Sequence, residues 1–131
     1  MSKKKTVTDR AMQVWWRRAI LASHNNTCAV CGRVRSSSDM ECHHLIKRRY
    51  RILRHDYRNG VPVCVGDCHR KADNNSGWLI SKHQYREHLT DITSNYTTIK
   101  DFLIDRGMTL AEHDAQMLEE LKEVAGRFDN V

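Results

Sequence analysis

Two short cysteine pairs, Cys28-x2-Cys31 and Cys64-x3-Cys68, constrain this chain more than any other feature. Four soft ligands in two separated knuckles suit tetrahedral zinc, whose structural sites hold sulfur at about 2.3 Å and leave no position open. Gly32, directly after Cys31, and Gly66, inside the second pair, permit backbone turns that aim amide N–H groups at sulfur. The competing readings are a pair of disulfides or a redox dithiol. The start Met-Ser-Lys-Lys-Lys has no apolar segment behind it to act as a signal peptide, which disfavours disulfides. Redox Cys-x2-Cys motifs sit at a helix start in a βαβ context that this pattern lacks. Cys42, the fifth cysteine, reads as a small buried hydrophobe on the inner face of a strand.

The chain of 131 residues has room for one domain with a modest core, which is the setting where a metal clip is needed. Its 40% hydrophobic and 29% charged residues are those of a globular protein, and no apolar run is long enough to span a bilayer. Charge is uneven. From Met1 to Arg58 there are 14 Lys and Arg against 4 Asp and Glu, whereas from Gly107 to Val131 there are 2 against 6. A basic front half favours a polyphosphate partner, since each Lys or Arg that replaces a condensed counterion gains binding free energy. A solvated basic face is the alternative. The acidic tail is assigned to solubility or packing.

Read along its length, the chain is a single domain, 1–131, of α+β class. Residues 1–8 form a basic disordered arm, 9–26 a helical segment, 27–75 a metal-clipped core and 76–131 a helical extension. In the first helix, capped by Thr8 or Asp9, Met12, Trp15, Trp16, Ala19 and Ile20 recur at helical spacing, so both tryptophans read as core anchors. Met40–Leu45 and Val61–Val63 are short strands, with Asn59-Gly60 as a turn signal. A helix of about two turns opens at Cys68. Further helices are expected near Ser81–Leu89, Thr97–Arg106 and Thr109–Arg127, with Gly107 as a C-cap.

His43-His44 lies between the cysteine pairs, and His69 follows Cys68. Adjacent strand residues point to opposite faces, but at a strand end both could serve one site, one as ligand and the other as base. On the helix from Cys68, His69 and Asp73 are four apart and share a face. One His from the strand with a His and a carboxylate from the helix make a three-ligand site with open positions, as a catalytic ion needs. His24, His55, His83, His88 and His113 read as surface or core imidazoles.

Three strings together carry a resemblance: Glu41-Cys42-His43-His44-Leu45-Ile46, Arg54 through Cys64, and Cys68-His69-Arg70-Lys71. They resemble the HNH endonucleases, and more narrowly the zinc-knuckle HNH proteins of phages and bacterial mobile elements. The likeness spans about Thr27 to Asn75 and includes His44, Asn59 and His69. It implies a small ββα-metal core: a two-stranded hairpin with His43, His44 and Asn59 closes on a helix with His69, clipped by the four cysteines through zinc. It further implies a metal-dependent DNA endonuclease or nickase in the cytoplasm of a bacterium or phage-infected host. His44 would be the general base. His43 and His69 would hold one divalent ion, and Asn59 would fix the loop and help orient His44 through a hydrogen bond. The products would carry 5′-phosphate and 3′-hydroxyl ends. Two features depart from the pattern. The Cys-x3-Cys spacing adds one residue between Asn59 and His69, and Asp73 stands where many members place His or Asn. A carboxylate there suits a hard ion such as Mg²⁺ or Mn²⁺.

Lys47, Arg48, Arg49, Arg51, Arg54 and Arg58 lie between His44 and Asn59, where phosphate contacts would hold DNA without reading its sequence. RNA stays open as a substrate, as does the choice between monomer and homodimer. From another class comes the alternative of a non-catalytic, zinc-stabilised DNA-binding module.

Overall fold

The computed structural model describes residues 7–129, so the expected arm lies outside the described residues as far as residue 6. The described chain is α+β, with six α-helices and one two-stranded antiparallel sheet. Helix α1 (Asp9–Ser23) begins at Thr8, whose hydroxyl accepts the Ala11 N–H, and carries Asp9 in its first turn, where a negative charge suits the helix dipole. Met12, Trp16, Ala19 and Ile20 are buried along one stripe, as their spacing predicts. Trp15 is only partly buried, between the Arg18 guanidinium at 4.3 Å and the Lys122 amine at 5.4 Å. The helix stops at Ser23, short of residue 26. Asn25 and Asn26 take positive φ angles, 51° and 52°, which asparagine tolerates better than most residues.

Strands β1 (Met40–His44) and β2 (Gly60–Cys64) pair with Met40 opposite Cys64 and His44 opposite Gly60. Helix α1 packs on one face of this ribbon and α2 (Asp67–Asn74) on the other. Side chains of β1 alternate accordingly: Cys42 and His44 meet α1, while Glu41 and His43 meet α2. All five residues of β2 are buried, which explains its unbroken apolar run. A Cβ on Gly60 would come within 2.3 Å of Ile20 Cδ1 and 2.6 Å of Trp16 Cζ2, so only glycine lets α1 approach this closely.

Asn59-Gly60 is not a hairpin turn. The two strands are joined by residues 45–59, which include two short 3-10 turns, Arg51–Leu53 and Tyr57–Asn59. Gly60 is extended and already belongs to β2. The helical extension also differs in one place. Instead of one helix over Ser81–Leu89 there are two, α3 (Ser76–Lys82) and α4 (Arg86–Asn95). Between them His83 takes extended angles and is buried, with its Nε2–H donating to the Arg58 carbonyl at 2.7 Å. A long-range bond has overridden local helix preference there.

Helix α5 (Ile99–Arg106) is capped by Thr98 and closed by left-handed Gly107, and α6 (Leu110–Asp129) lies along α1. Leu121 and Val124 of α6 bury against Met12, Trp16 and Ile20, forming a second core beside the one around the sheet. Acidic residues of α6 serve packing: Asp114 holds Arg51 through two contacts of 2.6 and 2.7 Å, and Glu120 lies 3.3 Å from Arg58. No helix among the described residues is long and apolar enough to cross a membrane.

Candidate metal centres and the His44 site

The four paired cysteines meet at one end of the sheet, with all four sulfurs within 4.8 Å of one another. Tetrahedral ligands at about 2.3 Å from an ion stand about 3.8 Å apart, and Cys31 Sγ lies 3.6 Å from Cys64 Sγ. Cys28 Sγ accepts N–H groups from Val30, Cys31 and Cys64, each at 3.4 Å. Gly66 makes the second knuckle with φ of 93°, a value few other residues tolerate. Burial alone would raise the Cys28 thiol, but those N–H groups outweigh it and bring the thiol down to about 6. Burial raises Cys64 to about 12, with hydrogen bonding to Cys31 and Cys28 adding to it, and Cys68 moves the same way. One thiolate is thus readily accommodated, and gathering four requires a cation. The cluster could hold a structural metal such as zinc. Cys42 is apart from it, its thiol donating to the Arg17 carbonyl at 3.8 Å and raised by burial to about 12.

On the α2 face, His43, His69 and Asp73 bring ligand atoms within 4.8 Å of one another. Hydrogen bonding sets the ring tautomer of His43. Ser76 Oγ donates to the Ala72 carbonyl at 3.2 Å, so it accepts from His43 Nε2–H at 2.8 Å. His43 Nδ1 is left with a lone pair, 3.2 Å from Asp73 Oδ1. His69 Nδ1 is paired with the Glu41 carboxylate, and its Nε2 stands 3.6 Å from the same Asp73 oxygen. The His43 lone pair and the carboxylate oxygen repel unless positive charge stands between them. The separations suit one ion, since adjacent ligands at about 2.1 Å in an octahedral shell are about 3.0 Å apart. His43 is 8% exposed and Asp73 58%, so this set is anchored on one side and open on the other. Burial lowers His43 from the ordinary histidine value, more than nearby Asp73 raises it.

His44 occupies the opposite face. Its ring stacks on Trp16, with centroids 3.9 Å apart and planes 10° from parallel. Its Nε2–H donates to the Arg54 carbonyl at 2.9 Å, and Nδ1 takes no hydrogen bond from any described residue. Burial holds His44 below its ordinary value despite that bond, with Arg48, His43 and Arg54 adding repulsion. Asn59, fully buried, ties the loop together rather than touching His44. Its Oδ1 accepts Ile46 N–H at 2.7 Å, and its Nδ2 donates to the Ile46 and Leu53 carbonyls at 3.0 and 3.1 Å.

The basic loop residues divide. Lys47 and Arg49 are exposed. Arg48 and Arg54 face Asp9, at 2.7 and 3.7 Å, and Arg54 Nε also donates to the Arg48 carbonyl. Arg51 is committed to Asp114, and Arg58 to Asp56 at 2.8 Å. Reading the sequence missed three supporting residues: Glu41, Ser76 and Trp16. Only Glu41 left a signal, because it stands two before His43 on a strand and must share its face.

Comparisons with family models, with curated proteins and with solved structures return no match.

Proposed function

We propose that this chain is a metal-dependent DNA endonuclease or nickase of the HNH kind, built on a ββα-metal core of β1, β2 and α2. One observation carries the reading: the His43, His69 and Asp73 set lies beside the end of β1, where the next residue is a histidine whose Nδ1 takes no hydrogen bond from any described residue. A divalent ion on those three residues would supply positive charge to the scissile phosphate. His44 Nε2–H is occupied by the Arg54 carbonyl, so Nδ1 is the atom that accepts a proton from the attacking water. Trp16 fixes the plane of that ring, and Asn59 fixes the loop that presents the Arg54 carbonyl. The water oxygen bonds to phosphorus, the bond from phosphorus to the 3′-oxygen breaks, and that oxygen leaves with a proton from solvent. The ends are 5′-phosphate and 3′-hydroxyl. Lys47, Arg48, Arg49 and Arg54 lie in the loop that follows His44 and would hold the DNA backbone.

The test is nicking of supercoiled plasmid with Mg²⁺ or Mn²⁺, comparing the wild type with His44→Ala and His43→Ala. Both variants should lose about 10² to 10⁴ in rate. Nicking at the wild-type rate by His44→Ala would remove the proposed base. Absence of cleavage by the wild type with every divalent ion, together with DNA binding, would favour the non-catalytic zinc-stabilised module.

A further inference from the structure

Trp78 is the feature that neither metal centre uses. It stands on α3, two residues beyond Ser76, and half of its surface is exposed. Its side chain lines two clefts, with volumes of about 360 and 330 Å³. The first runs past Val30 of the cysteine knuckle and Lys71 of α2. The second runs past Ala29, Val61 and Lys82, whose amine sits 4.0 Å from the indole centroid. Among the described residues no carboxylate lines either cleft. An exposed indole that shares one cleft with Lys71 and the other with Lys82, with no carboxylate among the described lining residues, is chemically matched to a group that is both flat and anionic.

We infer that Trp78 is a stacking platform for an unpaired nucleobase, with Lys71 and Lys82 receiving the flanking phosphates, so that the substrate carries a single-stranded segment. The inference rests on the nuclease reading and narrows its substrate class. A duplex keeps its bases stacked on one another, whereas an unpaired base has a free face to offer the indole. Each such stack strengthens binding by about five- to 150-fold.

Binding is measured without added divalent ion, using a labelled single-stranded DNA and an abasic strand of equal length that keeps the phosphates. The wild type should prefer the base-bearing strand by that factor. Trp78→Ala should abolish the preference and leave abasic binding unchanged, and Trp78→Phe should restore most of it. Lys71→Gln with Lys82→Gln should weaken both strands alike and lower the salt dependence. Unchanged melting curves would show that the variants fold. Equal affinity of wild type and Trp78→Ala for the base-bearing strand would overturn the inference, as would Trp78-dependent capture of polyglutamate in competition with DNA. If plasmid nicking still depends on His44 in either case, the nuclease reading survives alone. A wild type that binds no nucleic acid overturns both.

Discussion

The indole of Trp16 lies flat against the imidazole of His44, and its Nε1–H donates to the Asp56 carbonyl at 2.9 Å. One side chain of α1 thus positions the proposed base from below and ties down the loop that supplies its hydrogen-bond partner. Trp16→Phe keeps an aromatic floor but removes one of the two hydrogen bonds that the Asp56 carbonyl accepts, the other coming from Asn59 N–H, which should cost about 1 kcal/mol of stability. Its nicking rate should fall only severalfold once the protein is held below its lowered melting temperature. Trp16→Leu removes the flat surface as well and should lower the rate much further at matched folding. Equal rates for Phe and Leu would separate the stack from catalysis.

Acid should weaken the fold well before its carboxylates titrate. Burial lowers both His24 and His55 to about 4, His24 with added repulsion from His83. Asp9 stands 3.1 Å from His55 Nε2 but off the hydrogen-bonding direction, so burial wins over that attraction. The unfolded chain protonates both near 6.5 and therefore binds more protons than the folded chain between 6.5 and 4. Stability is full above pH 6.5 and falls as the pH drops towards 4, by on the order of 3 kcal/mol for fully buried His55. Urea midpoints measured across this window should decline, and His55→Leu should flatten the slope. A slope unchanged in His55→Leu would mean that His55 is already charged in the folded state.

Below that window Asp56 takes over. Burial opposes its ionisation, but hydrogen bonds from His88 and Arg58 outweigh burial and hold it below the ordinary 3.8. Its stabilisation is present above that value and lost as pH falls through the lower folded one. Asp56→Asn at pH 7 should destabilise the chain by about 3 kcal/mol or more, because Arg58 and His88 lose their shared anion. A melting temperature within a degree of wild type would sink that role.

What could be read from the sequence was carried by short-range spacing. Cys28 and Cys31 must lie in one knuckle, and His69 and Asp73 on one helix face, whatever the tertiary arrangement. The stripe from Met12 to Ile20 likewise needs only helix geometry. The supports of the site come from distant segments, and no local pattern marks them. Ser76 reaches His43 across 33 positions and Trp16 reaches Asp56 across 40. The same cause broke the helix expected over Ser81–Leu89, where burial of His83 against the Arg58 carbonyl decided the backbone. Asn59-Gly60 misled because its composition suits a turn, whereas Asn59 is used here for its amide and Gly60 for its missing side chain.

Arginines in one basic run should behave in two ways. Arg49 is exposed, so Arg49→Ala should lower the salt slope of DNA binding by about 1 and leave melting unchanged. Lys47→Ala should do the same. Arg51 is held by Asp114 with both partners largely buried, so Arg51→Ala should instead lower stability, by up to about 3 kcal/mol, with the salt slope intact. An Arg51 variant that melts normally and binds DNA with a reduced slope would move this residue to the interface.

The cysteine cluster should prove inseparable from folding. A structural zinc contributes about 10–16 kcal/mol in zinc-dependent peptides, comparable with the whole net stability of a small domain. Mass spectrometry under native conditions should find one tightly held zinc, and a strong chelator should convert cooperative melting into a broad, early transition. Cys28→Ser should lose the ion and the cooperative transition, because its sulfur also gathers three backbone N–H groups from both knuckles. Cys31 is exposed, so Cys31→Ser should retain weakened zinc and partial cooperativity. Cys42→Ser, outside the cluster, should keep the full complement of zinc. A chain that holds no zinc and melts as sharply with chelator as without would leave the two knuckles supported by packing alone.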